Sequence, residues 1–359
     1  FSQREKLHIG VDKTMTGIQR KKLCDGVFFS SIREERFKTG RISATLLLPL
    51  QAETAAANSI LPYLLRRSCR EYPDFTAFNR KLSELYGATL YGDVRKIGEM
   101  QALTVGAVGL DDRYALNGEC ISAELGDLLC KVLFDPALEN GVFRKEDVEQ
   151  ERRQLLDQID SEFNDKRTYA RLRCEELMCQ GEAFGVSRYG TRAQVERLTA
   201  QEITQAWKNA LANARLELMM IGSSDPQAAC ARFEEALAKI ERHPAADTAT
   251  EVIRSVKEVR TYNDSMEVAQ CKLVMGFRAG TAVPQQEVMA ARLMTALYGG
   301  TPHSKLFLNV REKLSLCYYC SARYDRQKGI LLVESGVEQK NIEKARDEIL
   351  RQLQEMQKG

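Results

Sequence analysis

At 359 residues the chain has room for two domains of about 150 residues each, with a core apiece. Its 52 basic and 50 acidic side chains nearly cancel, leaving a formal charge of +2, which excludes bulk attraction to nucleic acid or to an anionic membrane. Hydrophobic residues make up 44%, yet no apolar run reaches the ~18 residues of a transmembrane helix.

In chain order, strands are predicted over 27–29 and 42–48, joined by the polar turn around Lys38-Thr39-Gly40, with Pro49 ending the second. A helix follows over 53–67, with Ala57, Ile60, Leu61 and Leu64 at helical spacing. A second amphipathic helix covers 75–86, started by Asp74 and stopped at Gly87. Strands over 89–94 and 100–108, a helix over 115–133 and a long charged helix over 145–163 come next. Shorter helices fit 170–180, 192–195 and 200–212, and a strand over 216–222 closes the first half. Asp225-Pro226 opens a helix over 227–240. The polar stretch 243–250 has no core pattern and is the linker candidate. The second half runs strand 268–277, helix 284–297, the turn Gly299-Gly300-Thr301-Pro302, helix 304–311, strands 317–324 and 330–334, and helix 341–357.

In each half a strand leads through a polar loop to a helix. This echo predicts an α+β protein of two related domains, 1–222 and 223–359. Each is expected to be an antiparallel sheet with helices packed on one face. If the two are equal, the second lacks its last strand and helix.

The opening Phe1-Ser2-Gln3-Arg4-Glu5-Lys6 has no apolar stretch of a signal peptide. Ten cysteines run from Cys24 to Cys320 without a regular framework. Most of them read as buried small hydrophobes in a reducing cytoplasm. Cys317-Tyr318-Tyr319-Cys320 is the one CxxC. On a regular strand Cys317 shares a face with Tyr319, so the two thiols are expected on opposite sides, which argues against a redox or zinc pair.

Two segments carry a family resemblance. The first is 58–68, Asn-Ser-Ile-Leu-Pro-Tyr-Leu-Leu-Arg-Arg-Ser, followed by Leu82-Ser83-Glu84-Leu85-Tyr86-Gly87-Ala88. The second is Gly299-Gly300-Thr301-Pro302-His303-Ser304-Lys305-Leu306-Phe307, running into Val310-Arg311-Glu312-Lys313 and on to Tyr318. Both resemble the pitrilysin/insulinase (inverzincin) metallopeptidases, and the order of elements resembles them over nearly the whole chain. The resemblance implies a mitochondrial-processing-peptidase-like fold. In that family a helix carries H-x-x-E-H, whose two His bind zinc and whose Glu is the general base, while a later helix adds a third ligand. With Tyr63-Leu64 inside the motif, its positions here become Pro62, Leu65 and Arg66, and the later ligand becomes Gln158. None suits zinc or a base, and the three His of the chain, His8, His243 and His303, form no such motif. The resemblance is nearest to paralogues without the zinc motif, a branch named for an association with 5-aminopentanol modification of elongation factor P.

The resemblance further implies that Arg311 and Tyr318 are the C-terminal pair that contacts substrate and helps stabilise an oxyanion beside the zinc. The expected function is therefore a non-catalytic, peptide-binding subunit of a zinc peptidase complex. No metal or other cofactor is expected on this chain. Zinc would sit on a partner, a homologue with H-x-x-E-H, and the substrate would be an extended peptide. The alternative is a scaffold or assembly protein of the same fold without substrate contact. An independent cysteine-nucleophile enzyme finds no visible Cys/His pair.

Ordinary roles cover the remaining features. His303 reads as a solvated loop residue, and Glu149, Glu151 and Asp157 as the wet face of a long helix. Arg20-Lys21-Lys22 reads as a solvated cluster. Tyr72, Tyr86 and Tyr91 read as packing around the first sheet.

Overall fold

The computed structural model describes residues 17–245 and 247–358; the opening 1–6 and His8 lie outside them. The first half is built on a six-stranded sheet in the order β1-β2-β8-β3-β5-β4. β1 (Gln19–Cys24) and β2 (Val27–Arg33) form a hairpin. β3 (Thr39–Pro49) pairs along its length with β5 (Met100–Leu110), and β4 (Thr89–Ile97) lies outside β5. β8 (Arg215–Gly222) enters between β2 and β3, antiparallel to β3 and parallel to β2. The α+β class stands, with that one parallel pair, which is possible because helices rather than a tight turn lead into β8.

Alternation sorts the two faces. Ile42, Ala44 and Leu46 of β3 and Leu216, Leu218 and Met220 of β8 are buried. Helices α4 (Ile121–Phe134), α8 (Ala200–Asn213) and α9 (Gln227–Leu237) supply the matching side of this core. α9 contributes Ala229, Cys230, Phe233 and Leu237, so the first core extends past residue 222, and the change of core falls in 238–270. Arg20, Lys21 and Lys22 lie on β1 and are solvent-facing but paired, with Glu217 at 2.7 Å, Glu234 at 2.6 Å and Asp25 at 3.0 Å. The single helix expected over 53–67 is two short ones, α1 (Ala55–Ser59) and α2 (Leu61–Leu65). Pro62 has no N–H to continue α1 and its ring crowds the preceding turn.

The second half holds β9 (Cys271–Arg278), β10 (Cys317–Asp325) and β11 (Ile330–Val337), antiparallel in the order β10-β11-β9. The repeat is topological. β3 pairs with β5 while β4 lies outside; β9 pairs with β11 while β10 lies outside. The difference is that β3 has β8 on its other side, whereas β9 has no second neighbour among the described residues. One face of this sheet is covered by α10 (Glu287–Thr295), π-helical turns at Ala296–Gly300 and Phe307–Lys313, and α11 (Ile342–Lys358). Gly299 is a packing requirement, since a Cβ there would lie 2.7 Å from the Ala322 backbone nitrogen.

The other face rests on the first half. α5 (Lys145–Asn164) leads into α6 (Lys166–Met178), which lies so close to β9 that a Cβ on Gly276 would meet Met178 Sδ at 2.6 Å. Arg167 pairs with Glu334 at 2.9 Å and stacks on Tyr319 at 4.3 Å. Past the other end of α6, Lys328, with 0% side-chain exposure, bridges Glu99 at 2.6 Å and Glu182 at 2.7 Å. Arg278 adds a second cation to Glu182. Burial opposes the Lys328 charge, but Glu182 and Glu99 outweigh it and raise its proton affinity. Burial likewise pushes Glu182 up, and Arg278 and Lys328 more than reverse it. The halves are thus clamped by charges that each need the other.

Candidate functional site

Pro62, Leu65 and Arg66, which the resemblance sets against H-x-x-E-H, lie on α2 and at its end, pressed between β4 and α5. Gly92 permits this approach, because a Cβ there would sit 2.5 Å from the Pro62 carbonyl oxygen. Pro62 and Leu65 are buried and offer no side-chain donor atom. Arg66 is half-buried over the Tyr63 ring at 5.8 Å. Gln158 on α5 is exposed. Zinc requires nitrogen, sulfur or oxygen donors converging at about 2.0–2.3 Å. A pyrrolidine ring, an isobutyl group and a guanidinium cannot provide them, so zinc does not fit this position. No group of three or more His, Cys, Asp and Glu suited to a metal occurs among the described residues.

An ion-pair cluster holds the region instead. Arg67 donates to Asp147 at 3.1 Å, Gln150 at 2.9 Å and Glu151 at 2.6 Å. Glu151 is only 2% exposed, which corrects its expected place on the wet face of α5: Arg67 compensates its burial. Asp157 and Glu149 do meet solvent. A cleft of about 270 Å³ opens here, with Arg66, Arg67 and Glu151 on one wall and Phe75, Phe78 and Leu82 of α3 (Phe75–Glu84) on the other.

Arg311 and Tyr318 stand on either side of the turn that leads from the Phe307–Lys313 segment into β10. Arg311 lies in the π-helical segment anchored by buried Leu306 and Val310. Ser315, at φ 48°, ends that segment in the left-handed region. The Ser315 N–H donates to the Arg311 carbonyl at 3.1 Å and the Leu316 N–H to the Val310 carbonyl at 3.0 Å, tying the Arg311 turn to the start of β10. Tyr86, at φ 58°, makes the equivalent turn between α3 and β4. Arg311 stacks over Phe307 at 4.7 Å, keeps 42% exposure and lies 3.6 Å from Glu312. Tyr318 is 65% exposed and makes no hydrogen bond among the described residues. His303 is exposed in its loop.

β10 also corrects the expected placement of the cysteines. Cys317 pairs with Val337, Tyr319 with Gly336 and Cys320 with Ser335, so Tyr318 is an extra, bulged residue. Val337 and Ser335 are two apart on β11 and share a face, so their partners Cys317 and Cys320 share one as well. Cys320 is buried and Cys317 half-buried. Interaction with Cys320 lowers the Cys317 thiol, against burial and with help from Ser335 and the Arg311 charge. Cys320, coupled to Cys317 and more deeply buried, is pushed up. The sequence signal was Gly336, an isolated strand glycine of the kind that marks a bulge; a Cβ there would meet the Tyr319 ring at 2.5 Å.

A paired α+β repeat in a chain that holds no H-x-x-E-H defines a metallopeptidase-like fold without that zinc motif. The comparisons agree. The family described as "Peptidase M16 inactive domain" matches residues 197–359. The chain is 32% identical over 335 residues to "Probable inactive metalloprotease YmfF" of Bacillus subtilis (strain 168), covering 91% of this chain and 77% of that protein. It is similar to the crystal structure of a conserved protein from Enterococcus faecalis V583, with TM-score 0.84 and 28% identity over 94% of this chain and 79% of that one. It shares the fold of a peptidase M16 inactive domain from Pseudomonas fluorescens at TM-score 0.72 and 13% identity, over 94% and 78% of the two chains. The chain belongs to the M16 peptidase family, the pitrilysin/insulinase type, among its inactive members. No described helix is long and apolar enough to cross a membrane.

Proposed function

We propose that this chain is the non-catalytic, peptide-binding subunit of a two-chain zinc peptidase. Its partner would be a homologue carrying H-x-x-E-H, and the pair would work in the cytoplasm, in keeping with ten free cysteines. The observation that carries this reading is an asymmetry of exposure. Pro62 and Leu65 are sealed into the first core, while Arg311 and Tyr318 stand open on either side of the turn into β10.

Zinc on the partner supplies Lewis-acid activation of the scissile carbonyl and of water. This chain's Arg311 donates a two-pronged hydrogen bond to a peptide carbonyl. Tyr318 donates its hydroxyl where oxyanion charge develops. The edge strand β4, directly beneath α2, offers free backbone groups to an extended peptide. Pairing of that kind recognises main chain and gives weak sequence preference.

The test is peptidase activity of each chain alone and of the mixture, repeated with Arg311→Ala and Tyr318→Phe. Activity confined to the mixture, and reduced by both variants with the complex intact, is the expected result. An unchanged rate with both variants would leave a scaffold without substrate contact.

A further inference from the structure

The bulge in β10 does two things at once. It turns Tyr318 out to solvent, and it brings Cys317 and Cys320 onto one face of the strand. Their partners Val337 and Ser335 stand two apart on β11, Cys320 is buried and Cys317 half-buried, and the Arg311 charge favours the Cys317 thiolate. Among the other cysteines, Cys69, Cys130, Cys179 and Cys230 are buried, and burial pushes each of these thiols up. The pair at 317 and 320 therefore combines a partly accessible sulfur, a sheltered second sulfur behind it, and a cation close to the first.

We propose that Cys317 and Cys320 are a redox-modifiable dithiol that closes to a disulfide across the bulge and so fixes the placement of Tyr318. Cys317 is the entry thiol and Cys320 the resolving thiol. The oxidant is a low-molecular-weight disulfide. The Cys317 thiolate attacks one of its sulfurs, forming a mixed disulfide and expelling one small thiolate. Cys320 then loses its proton to a small thiolate, attacks the Cys317 sulfur and expels the second. Two protein thiols are oxidised and one small disulfide is reduced to two thiols, so atoms and electrons balance. The closed ring spans four residues and encloses Tyr318 and Tyr319, whose backbone the bulge already distorts. Because the ring holds strand residues in an irregular register, its disulfide is expected to be readily reduced. The dithiol chemistry does not depend on the peptide-binding role, which only gives the ring a consequence.

The experiment equilibrates the full chain with graded mixtures of oxidised and reduced glutathione, alkylates the remaining thiols and maps the peptides by mass spectrometry. The expected product is a peptide containing 317–320 that is lighter by two hydrogens and unalkylated, formed while Cys69, Cys130, Cys179 and Cys230 stay reduced. Cys320→Ser should instead accumulate one glutathione on Cys317. Cys317→Ser should leave Cys320 at least ten-fold less modified than Cys317 is in the Cys320→Ser variant. A wild-type chain whose Cys317 and Cys320 stay alkylatable after Cys120 has been oxidised would overturn the proposal. So would Cys320→Ser with no adduct at position 317.

Discussion

In the first half, the segment after β3 turns Pro62 and Leu65 into the protein. In the second, the segment after β9 leads to a turn where Arg311 and Tyr318 face outward. The two segments are topological equivalents: each helical stretch runs from β3 or β9 to the edge strand, β4 or β10, of the matching three-strand order β3-β5-β4 or β9-β11-β10. What separates them is chemistry at a few positions. Pro62 breaks the first helix and Leu65 seals it into the core. A left-handed serine and a one-residue bulge aim the second segment at solvent. One repeat thus buries the segment that the other leaves exposed to solvent.

The largest effect should come from breaking the clamp that sets the two halves against each other. Lys328→Met removes the cation from between Glu99 and Glu182 and should cost about 3–5 kcal/mol, read from the urea midpoint. Its pH dependence follows from the signs of the shifts. Glu182 is depressed, so its contribution is present above the unfolded value of about 4.3 and is lost as pH falls through the folded value. Lys328 is raised, so its contribution is present below about 10.4 and is lost as pH rises through its folded value. The cost of Lys328→Met should therefore shrink when the midpoints are compared at pH 3.5 rather than pH 7.

Leu65→Ala tests whether α2 is held in place by core packing. It should cost about 3 kcal/mol, as a buried leucine does, and a negligible loss would mean that α2 is still shaped for something other than packing. Arg311→Ala should reverse that pattern: a stability change within about 0.5 kcal/mol, with the mixture's peptidase rate down by roughly 10²-fold, about 2.7 kcal/mol. The smallest effect is expected from Arg66→Ala. Arg66 rests over Tyr63, so both stability and the mixture's rate should stay near the parent values.

Much of the fold was legible because it rests on periodicity and punctuation. Asp74 caps α3 as expected, accepting from the Ala77 N–H at 2.8 Å. The strands at β3, β5 and β8 fall where alternation placed them. Membership among the inactive M16 relatives was legible because no H-x-x-E-H occurs anywhere in the sequence. Other features depended on partners far away in sequence. Glu151 looked like a wet helix residue until Arg67, 84 positions away, came to rest on it. The parallel contact of β8 with β2 is set by long-range pairing that no local pattern carries. The shared face of Cys317 and Cys320 depended on a register slip that only Gly336 hinted at.

The most direct test of the central claim is zinc content by elemental analysis, for the purified chain alone and after mixing with an H-x-x-E-H homologue from the same genome. The account predicts zinc well below one per chain alone, rising to about one per pair in a stable complex. Stoichiometric, tightly held zinc on the isolated chain would contradict it.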